Sequence, residues 1–256
     1  MSHDSQESTV TDQTLSNRLR ERAKLLIRGA LHRVDLDVSR GPYPNRLART
    51  LDAQGIDTVL DIGANVGQFA SMTRRAGFAG RMISCEPLRG AFGELRARAS
   101  RDPEWTPLHT AVGSAAGTTT INVSANSFSS SVLTMTEVHL TSAPGSGYVA
   151  QETVALTTVR DLVAEQSLVP ARTLLKIDTQ GFEDEVLSGA GELIGEFGAV
   201  QLELSFVELY AGQKLFDDLY ERMRSNGYHL HIIEPGFSDA SGRLLQCDGL
   251  FVRTAV

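Results

Sequence analysis

Hydrophobic positions along this chain fall into short strand-like runs separated by longer amphipathic stretches. Thr58–Ile62 reads as an apolar strand and Gly67–Ala76 as a helix. Arg81–Cys85 and Leu88–Ser100 repeat the pair, and Thr106–Val112 reads as a third strand. Strict strand–helix alternation predicts parallel strands joined by right-handed helical crossovers. The alternation then pauses. Thr118–Val123 and Glu152–Thr158 read as strands, with a long stretch rich in Ser, Gly and Asn between them, so a loop or lid insertion is expected over about residues 113–158. The pattern resumes with a strand at Thr173–Ile177, a helix at Glu183–Phe197, a strand at Ala199–Leu204 and a helix at Leu215–Asn226. His229–Ile233 and Gly249–Val252 read as the closing strands. The turn-rich Pro235–Gly242 joins them, which predicts an antiparallel pair. The expected fold class is therefore α/β and Rossmann-like: a seven-stranded, mostly parallel sheet with helices on both faces.

The N-terminal part breaks this pattern. Residues 1–16 are polar and predict a disordered tail. From Asn17 to Val34 the spacing turns helical, with Leu19, Ala23, Leu26, Ile27, Ala30 and Leu31 on one face and Arg18, Arg20, Arg22, Lys24 and Arg28 on the other. Such a helix can pack on the domain, form a homodimer, or engage a membrane or partner. The break at Gly41–Pro44 is followed by a short predicted helix from Asn45 to Gln54. We expect a helical extension over residues 17–50 and the main domain over 51–256.

Composition narrows the classes. The chain has 256 residues, 41% hydrophobic and 21% charged, with a net charge of −7. That suffices for one sizeable core, and the acidic balance argues against nucleic acid as a partner. No apolar run approaches the roughly 18 residues of a transmembrane segment. The first residues lack the apolar core of a secretory signal, so a cytoplasmic location is expected. The two cysteines, Cys85 and Cys247, lie in apolar runs without metal-ligand spacing, which predicts small buried side chains rather than a zinc site.

The strongest local signal is Val59-Leu60-Asp61-Ile62-Gly63-Ala64-Asn65-Val66-Gly67: a strand ending in an acid, then a glycine-containing turn that opens a helix. Glu86 ends the next strand, where a carboxylate can accept hydrogen bonds from ribose hydroxyls. The dinucleotide fingerprint fails because Asn65 stands at a glycine position, and the turn lacks the glycine-rich character a pyrophosphate favours. S-adenosylmethionine has no phosphate, and it suits this pattern better. Asp61 would take its amino group or a water bound to it, the turn amides its carboxylate, and Glu86 its ribose. Gly63, Ala64, Asn65, Gly67, Pro87, Ala111 and Val112 complete the expected cofactor site. A nicotinamide-dependent oxidoreductase and a non-catalytic binding module remain as alternatives.

The motif Leu60-Asp61-Ile62-Gly63-Ala64-Asn65-Val66-Gly67 resembles the first motif of the FkbM-type methyltransferases. So do Leu175-Lys176-Ile177-Asp178-Thr179-Gln180-Gly181-Phe182-Glu183, Val200-Gln201-Leu202-Glu203-Leu204-Ser205 and Asp248-Gly249-Leu250-Phe251, in that order. The resemblance spans roughly Thr58 to Arg253. It implies a class I methyltransferase that acts on an oxygen of a sugar or secondary metabolite. The Arg- and Ala-rich extension also resembles that of actinobacterial sugar O-methyltransferases of the methylmannose-polysaccharide type. The implied acceptor is a carbohydrate or glycosylated small molecule.

A sugar hydroxyl needs a base or a metal to become a nucleophile. Asp178 follows a predicted strand and should face the cleft, and Glu203 lies in the next strand. His139 follows the serine run, where the family often has a histidine. Two arrangements stay open. In one, His139 takes the proton while Asp178 orients it or the acceptor. In the other, Asp178 and Glu203 hold a divalent ion such as Mg²⁺ on the acceptor oxygen. Lys176, inside an apolar strand, reads as structural. Ser127–Ser131 reads as a hydrogen-bonding or capping run, and Tyr148, Phe206 and Tyr210 as core or sugar-stacking aromatics.

Overall fold

The strands form where β-branched and aliphatic residues leave no polar edge for solvent. β1 (Thr58–Ile62) and β7 (Thr173–Ile177) are almost wholly buried and pair in parallel. A computed structural model of the chain describes residues 42–253. The expected polar tail over residues 1–16, and the basic helix with its dimer, membrane and partner roles, lie outside the described residues.

β2 (Arg81–Cys85) and β3 (Trp105–Leu108) extend the sheet on one side of β1. β8 (Ala199–Ser205), β10 (Gln246–Arg253) and β9 (Tyr228–Pro235) extend it beyond β7. The order is β3-β2-β1-β7-β8-β10-β9. β10 runs antiparallel to both its neighbours, as the turn-rich connection predicts. The expected seven-stranded, mostly parallel, Rossmann-like sheet is thus present. Its strand order reverses between β1 and β7, which opens a crevice at their carboxyl ends.

Helices cover both faces. α1 (Tyr43–Ala53), α2 (Gln68–Arg75) and α3 (Arg89–Ala99) pack Leu47, Leu51, Ala70 and Leu95 against Val59, Met82, Leu174 and Ala199. α5 (Val159–Glu165), α6 (Glu183–Ala190) and α7 (Phe216–Ser225) bury Leu162, Val186, Leu187, Leu219 and Met223 against Leu60, Ile62, Leu175 and Leu202 on the other face. The period-2 alternation of each strand thus divides one run between two cores. It also sends Asp61 and Lys176 to the α1–α3 side.

Three expected elements differ. The third strand breaks after Leu108. Pro107 lacks an N–H donor, which suits the sheet's outermost position. Ala111–Val112 (β4) then pairs with β6 (Tyr148–Thr157), which also pairs antiparallel with β5 (Gly117–Ser124), to make a separate three-stranded sheet. The expected loop between β5 and β6 holds a short helix, α4 (Glu137–Ser142), whose N-cap is Thr136. The helix expected over 183–197 ends at Ala190. Gly191 there takes φ 58°, and a 3₁₀ turn (Gly191–Glu196) follows.

Gly67 sits at φ 85°, and a Cβ there would lie 2.8 Å from the Trp105 ring. We expect Gly67→Ala to lose about 2–4 kcal/mol, the sum of a left-handed alanine and an overpacked contact. Urea denaturation should show a lower midpoint at unchanged slope.

Candidate functional site

The crevice at the strand ends is a cavity of about 640 Å³. That is the size of a small-molecule or cofactor site. It gathers Gly63, Ala64, Asn65, Glu86, Pro87, Ala111, Val112, Asp178 and Glu203 from five separate segments. Nine of the residues expected from sequence therefore meet in one place. Asp61, Gly67 and His139 do not line it.

Asp61 is fully buried behind the cavity wall. Its Oδ2 accepts from Ser84 Oγ at 3.2 Å, and Ser84 Oγ accepts from Trp105 Nε1 at 3.0 Å. Its Oδ1 lies 3.1 Å from Lys176 Nζ, an ion contact without an aligned hydrogen bond. The carboxylate therefore faces Lys176 and is not among the residues that line the cavity. The strand register explains the arrangement: Ser84, Asp61, Lys176 and Gln201 are in-register partners across four strands.

Lys176 does more than fill the core. Its Nζ also donates to the Gly63 carbonyl at 3.3 Å and lies 3.4 Å from Asp178 Oδ2. Burial works against its charge, but the Asp61 and Asp178 carboxylates outweigh burial and raise its pKa. One ammonium thus ties the first turn to the end of β7. Gly63 allows this closeness. It takes φ 77°, and a Cβ there would lie 1.9 Å from the Asp178 carbonyl oxygen.

The turn amides are also not as expected. Gly63 and Ala64 N–H donate to the Cys85 carbonyl at 3.1 and 3.0 Å. Asn65 N–H donates to Glu86 Oε2, Val66 N–H to Asn65 Oδ1 and Gly67 N–H to the Ala64 carbonyl, each at 2.8 Å. All five are engaged, so the turn presents no row of donors to a carboxylate, and none to a pyrophosphate either. The latter speaks against a nicotinamide dinucleotide. Side-chain donors at this end come instead from Gln68 and Arg75, which line the cavity from α2.

Glu86 holds the other side of the turn. Its second oxygen accepts from Leu88 N–H at 2.8 Å. Burial pushes its pKa up to about 7, against the pull of these two amides.

The far end of the cavity is acidic. Gln180 Nε2 donates to both Asp178 Oδ1 and Glu203 Oε2 at 2.9 Å. Asp248 is the cross-strand partner of Glu203, and burial followed by Asp178 raises its pKa to about 6. Burial, with Asp178, Glu183 and Asp248 nearby, pushes Glu203 well above the usual carboxylate range. Tyr43 from α1 closes this end by donating to Gln201. Tyr43, Lys176, Gln180, Gln201 and Asp248 are among the lining residues that sequence reasoning missed or read as structural. The cross-strand register could have found three of them.

Among the described residues no group of three or more His, Cys, Asp or Glu side chains is arranged to hold a metal. The Gln180 N–H groups point at both carboxylates, and the Lys176 ammonium contacts Asp178. This donor set does not fit the expected Mg²⁺. His139 is buried on α4 instead. Its ring packs against Tyr210 and Phe237, neither nitrogen is hydrogen-bonded among the described residues, and burial lowers its pKa. The expected base therefore lies in an aromatic cluster outside the cavity. Of the aromatics considered for stacking, Tyr148 and Tyr210 hydrogen-bond within the protein and Phe206 stacks on Phe216.

Removing one member of a buried ion pair leaves the other uncompensated. Lys176→Met should cost about 3–5 kcal/mol in chemical denaturation, and the double variant Asp61→Leu/Lys176→Met should recover most of it. Equal losses in the single and double variants would refute this account.

Several solved structures resemble the chain at low identity. Magnesium protoporphyrin IX methyltransferase from Synechocystis PCC 6803, solved with bound S-adenosylmethionine, is 13% identical with a TM-score of 0.43, covering 82% of this chain and 78% of that one. Burkholderia thailandensis 1,6-didemethyltoxoflavin-N1-methyltransferase is 11% identical with a TM-score of 0.43, covering 100% of this chain and 92% of that one. No curated protein matches the chain. The model of the methyltransferase FkbM domain matches residues 61–230. That segment runs from Asp61 in β1 to β9 and holds all the cavity-lining residues except Tyr43 and Asp248, and this chain belongs to the FkbM family of S-adenosylmethionine-dependent methyltransferases.

Proposed function

We propose that the chain transfers a methyl group to a hydroxyl of an uncharged sugar, oligosaccharide or glycosylated small molecule. The observation that carries this reading is the acidic far end of the cavity. Asp178, Glu203 and Asp248 meet there, and Lys176, facing them, is shared with Asp61. Polyhydroxylated molecules donate hydrogen bonds to such a surface, whereas phosphorylated or carboxylated ones meet like charge.

Bound S-adenosylmethionine would supply a methyl group activated by its sulfonium. Glu86 would accept hydrogen bonds from the ribose, with Gly63, Ala64, Asn65, Pro87, Ala111 and Val112 forming the walls. At the acceptor end both oxygens of Asp178 are engaged, by Gln180 and Lys176. Asp178 therefore serves to orient. Glu203, one oxygen of which meets Gln180, takes the proton from the acceptor hydroxyl. Its pKa is raised by burial and by the carboxylates around it, which makes the ionised form the stronger base.

Methyl transfer from labelled cofactor to a panel of neutral, phosphorylated and uronic oligosaccharides tests the acceptor class. Incorporation should favour neutral sugars, and labelling of none of them would reject the reading. With the best acceptor, Glu203→Gln should lower kcat by about 10²–10⁴-fold. Its affinity for S-adenosylhomocysteine should stay within about twofold of the parent.

Cofactor affinity should depend on pH through Glu86. Ribose hydroxyls donate to the ionised carboxylate, which dominates above about pH 7. Calorimetry with S-adenosylhomocysteine should therefore show binding weaken by up to about tenfold per pH unit below that point. Glu86→Gln should bind more weakly, with a flat profile. Without cofactor the sign reverses. The unfolded chain releases this proton near 4.5 and the folded chain near 7, so the Glu86 contribution to stability falls as pH rises through that window.

A further inference from the structure

Gln180 is where the two acceptor-end carboxylates, the insertion and a buried tyrosine meet. Besides its bonds to Asp178 and Glu203, its Oε1 accepts from Tyr210 Oη at 2.7 Å. Its backbone carbonyl accepts from Ser131 Oγ at 2.7 Å. The backbone here is left-handed, with φ 57° at Gln180 and 95° at Gly181. A Cβ on Gly181 would lie 2.9 Å from Tyr210 Cβ, so the segment is pressed directly onto the tyrosine. Tyr210 is fully buried, with the His139 ring edge-on at 5.0 Å between centroids.

A side-chain amide has one accepting end and one donating end. Turned over, the Gln180 amide would set its oxygen against two carboxylate oxygens. Tyr210 holds it the other way, because a hydroxyl proton meets Oε1. The same hydroxyl lies 3.3 Å from the Ser129 carbonyl, so the shorter contact is the one to Gln180. We propose that Tyr210 is a positioning residue: its hydroxyl orients the Gln180 amide, which in turn holds the Asp178 and Glu203 carboxylates at the acceptor end of the cavity. Ser129 and Ser131 place the insertion on the same pair. Seating of the insertion and aim of the carboxylates thereby become one arrangement.

The consequence for turnover rests on Glu203 being the proton acceptor. The consequence for Glu203 itself does not. Hydrogen bonds to the ionised form favour it. The other groups that act on Glu203 are Asp178, Glu183 and Asp248, which oppose ionisation, and Lys176, which favours it. All four remain in Tyr210 and Gln180 variants, so none of these charges accounts for a change; Tyr210→Phe also leaves every group that touches Glu203 in place.

The test uses the full chain labelled with ¹³C-glutamate, the Glu203 carboxyl resonance being identified by its loss in Glu203→Gln. Tyr210→Phe should raise the Glu203 titration midpoint by about 0.5–1 pH unit, and Gln180→Leu by more. S-adenosylhomocysteine affinity should stay within about twofold in both. An unmoved midpoint in Tyr210→Phe overturns the proposal, as does a shift accompanied by a parallel loss of cofactor affinity, which would mean general loosening. If Tyr210→Phe does not fold, Gln180→Leu carries the same comparison, and an unmoved midpoint there overturns it equally. With a methylated neutral sugar in hand, Tyr210→Phe should lower kcat several-fold at unchanged KM. A moved midpoint with no sugar methylated by the parent chain would reject the acceptor reading while upholding the role of Tyr210.

Discussion

The buried contact between Asp61 and Lys176 organises this molecule. Two charged side chains on adjacent central strands are removed from water, and each would be costly alone. Together they fix more than each other. Asp61 continues through Ser84 to the Trp105 indole at the edge strand. Lys176 continues to the Gly63 carbonyl and to Asp178. A polar chain thus crosses the sheet just beneath the cavity floor. The first turn and the end of β7 are held at one distance, and that distance requires a glycine at position 63.

This constraint divides the labour between the two halves of the cavity. On the cofactor side, the turn satisfies its own amides with Cys85, Glu86 and Asn65. It therefore acts as a rigid wall rather than an anion cradle, in keeping with a ligand that has no phosphate. On the acceptor side, carboxylates outnumber cations, and the nearest cation is shared with Asp61. Like charges close together in a dry site raise one another's pKa. Burial first, and these neighbouring carboxylates second, raise both Glu203 and Asp248. In the proposed reaction Glu203, raised above the usual carboxylate range, takes the proton, and the histidine that the insertion carries has no part in it.

The insertion is built rather than loose. β4 leaves the line of β3 to join β6, and β5 closes the small sheet beside the mouth of the cavity. Ile121 and Val132 line the cavity, while Ser129 and Ser131 reach the Gln180–Tyr210 pair. His139 belongs to the packing behind that pair.

The pattern of apolar positions determined the main sheet, its strand count and the reversed last pair. It could do so because strand alternation, glycine turns and short crossovers are local properties that leave a period in the chain. The same pattern placed Glu86 and Asp178 at strand ends and Glu203 within the next strand, and all three line the cavity. What lay beyond it was set by contacts between distant segments. Whether Asp61 faces a ligand or a lysine depends on the register of β1 against β7, more than a hundred residues apart. Whether turn amides are free depends on the neighbouring strand's carbonyl at Cys85 and carboxylate at Glu86. Whether His139 is a base or a packed ring depends on where α4 docks. Periodicity carries no information on these points, because each is settled by which buried polar group finds its partner across the fold.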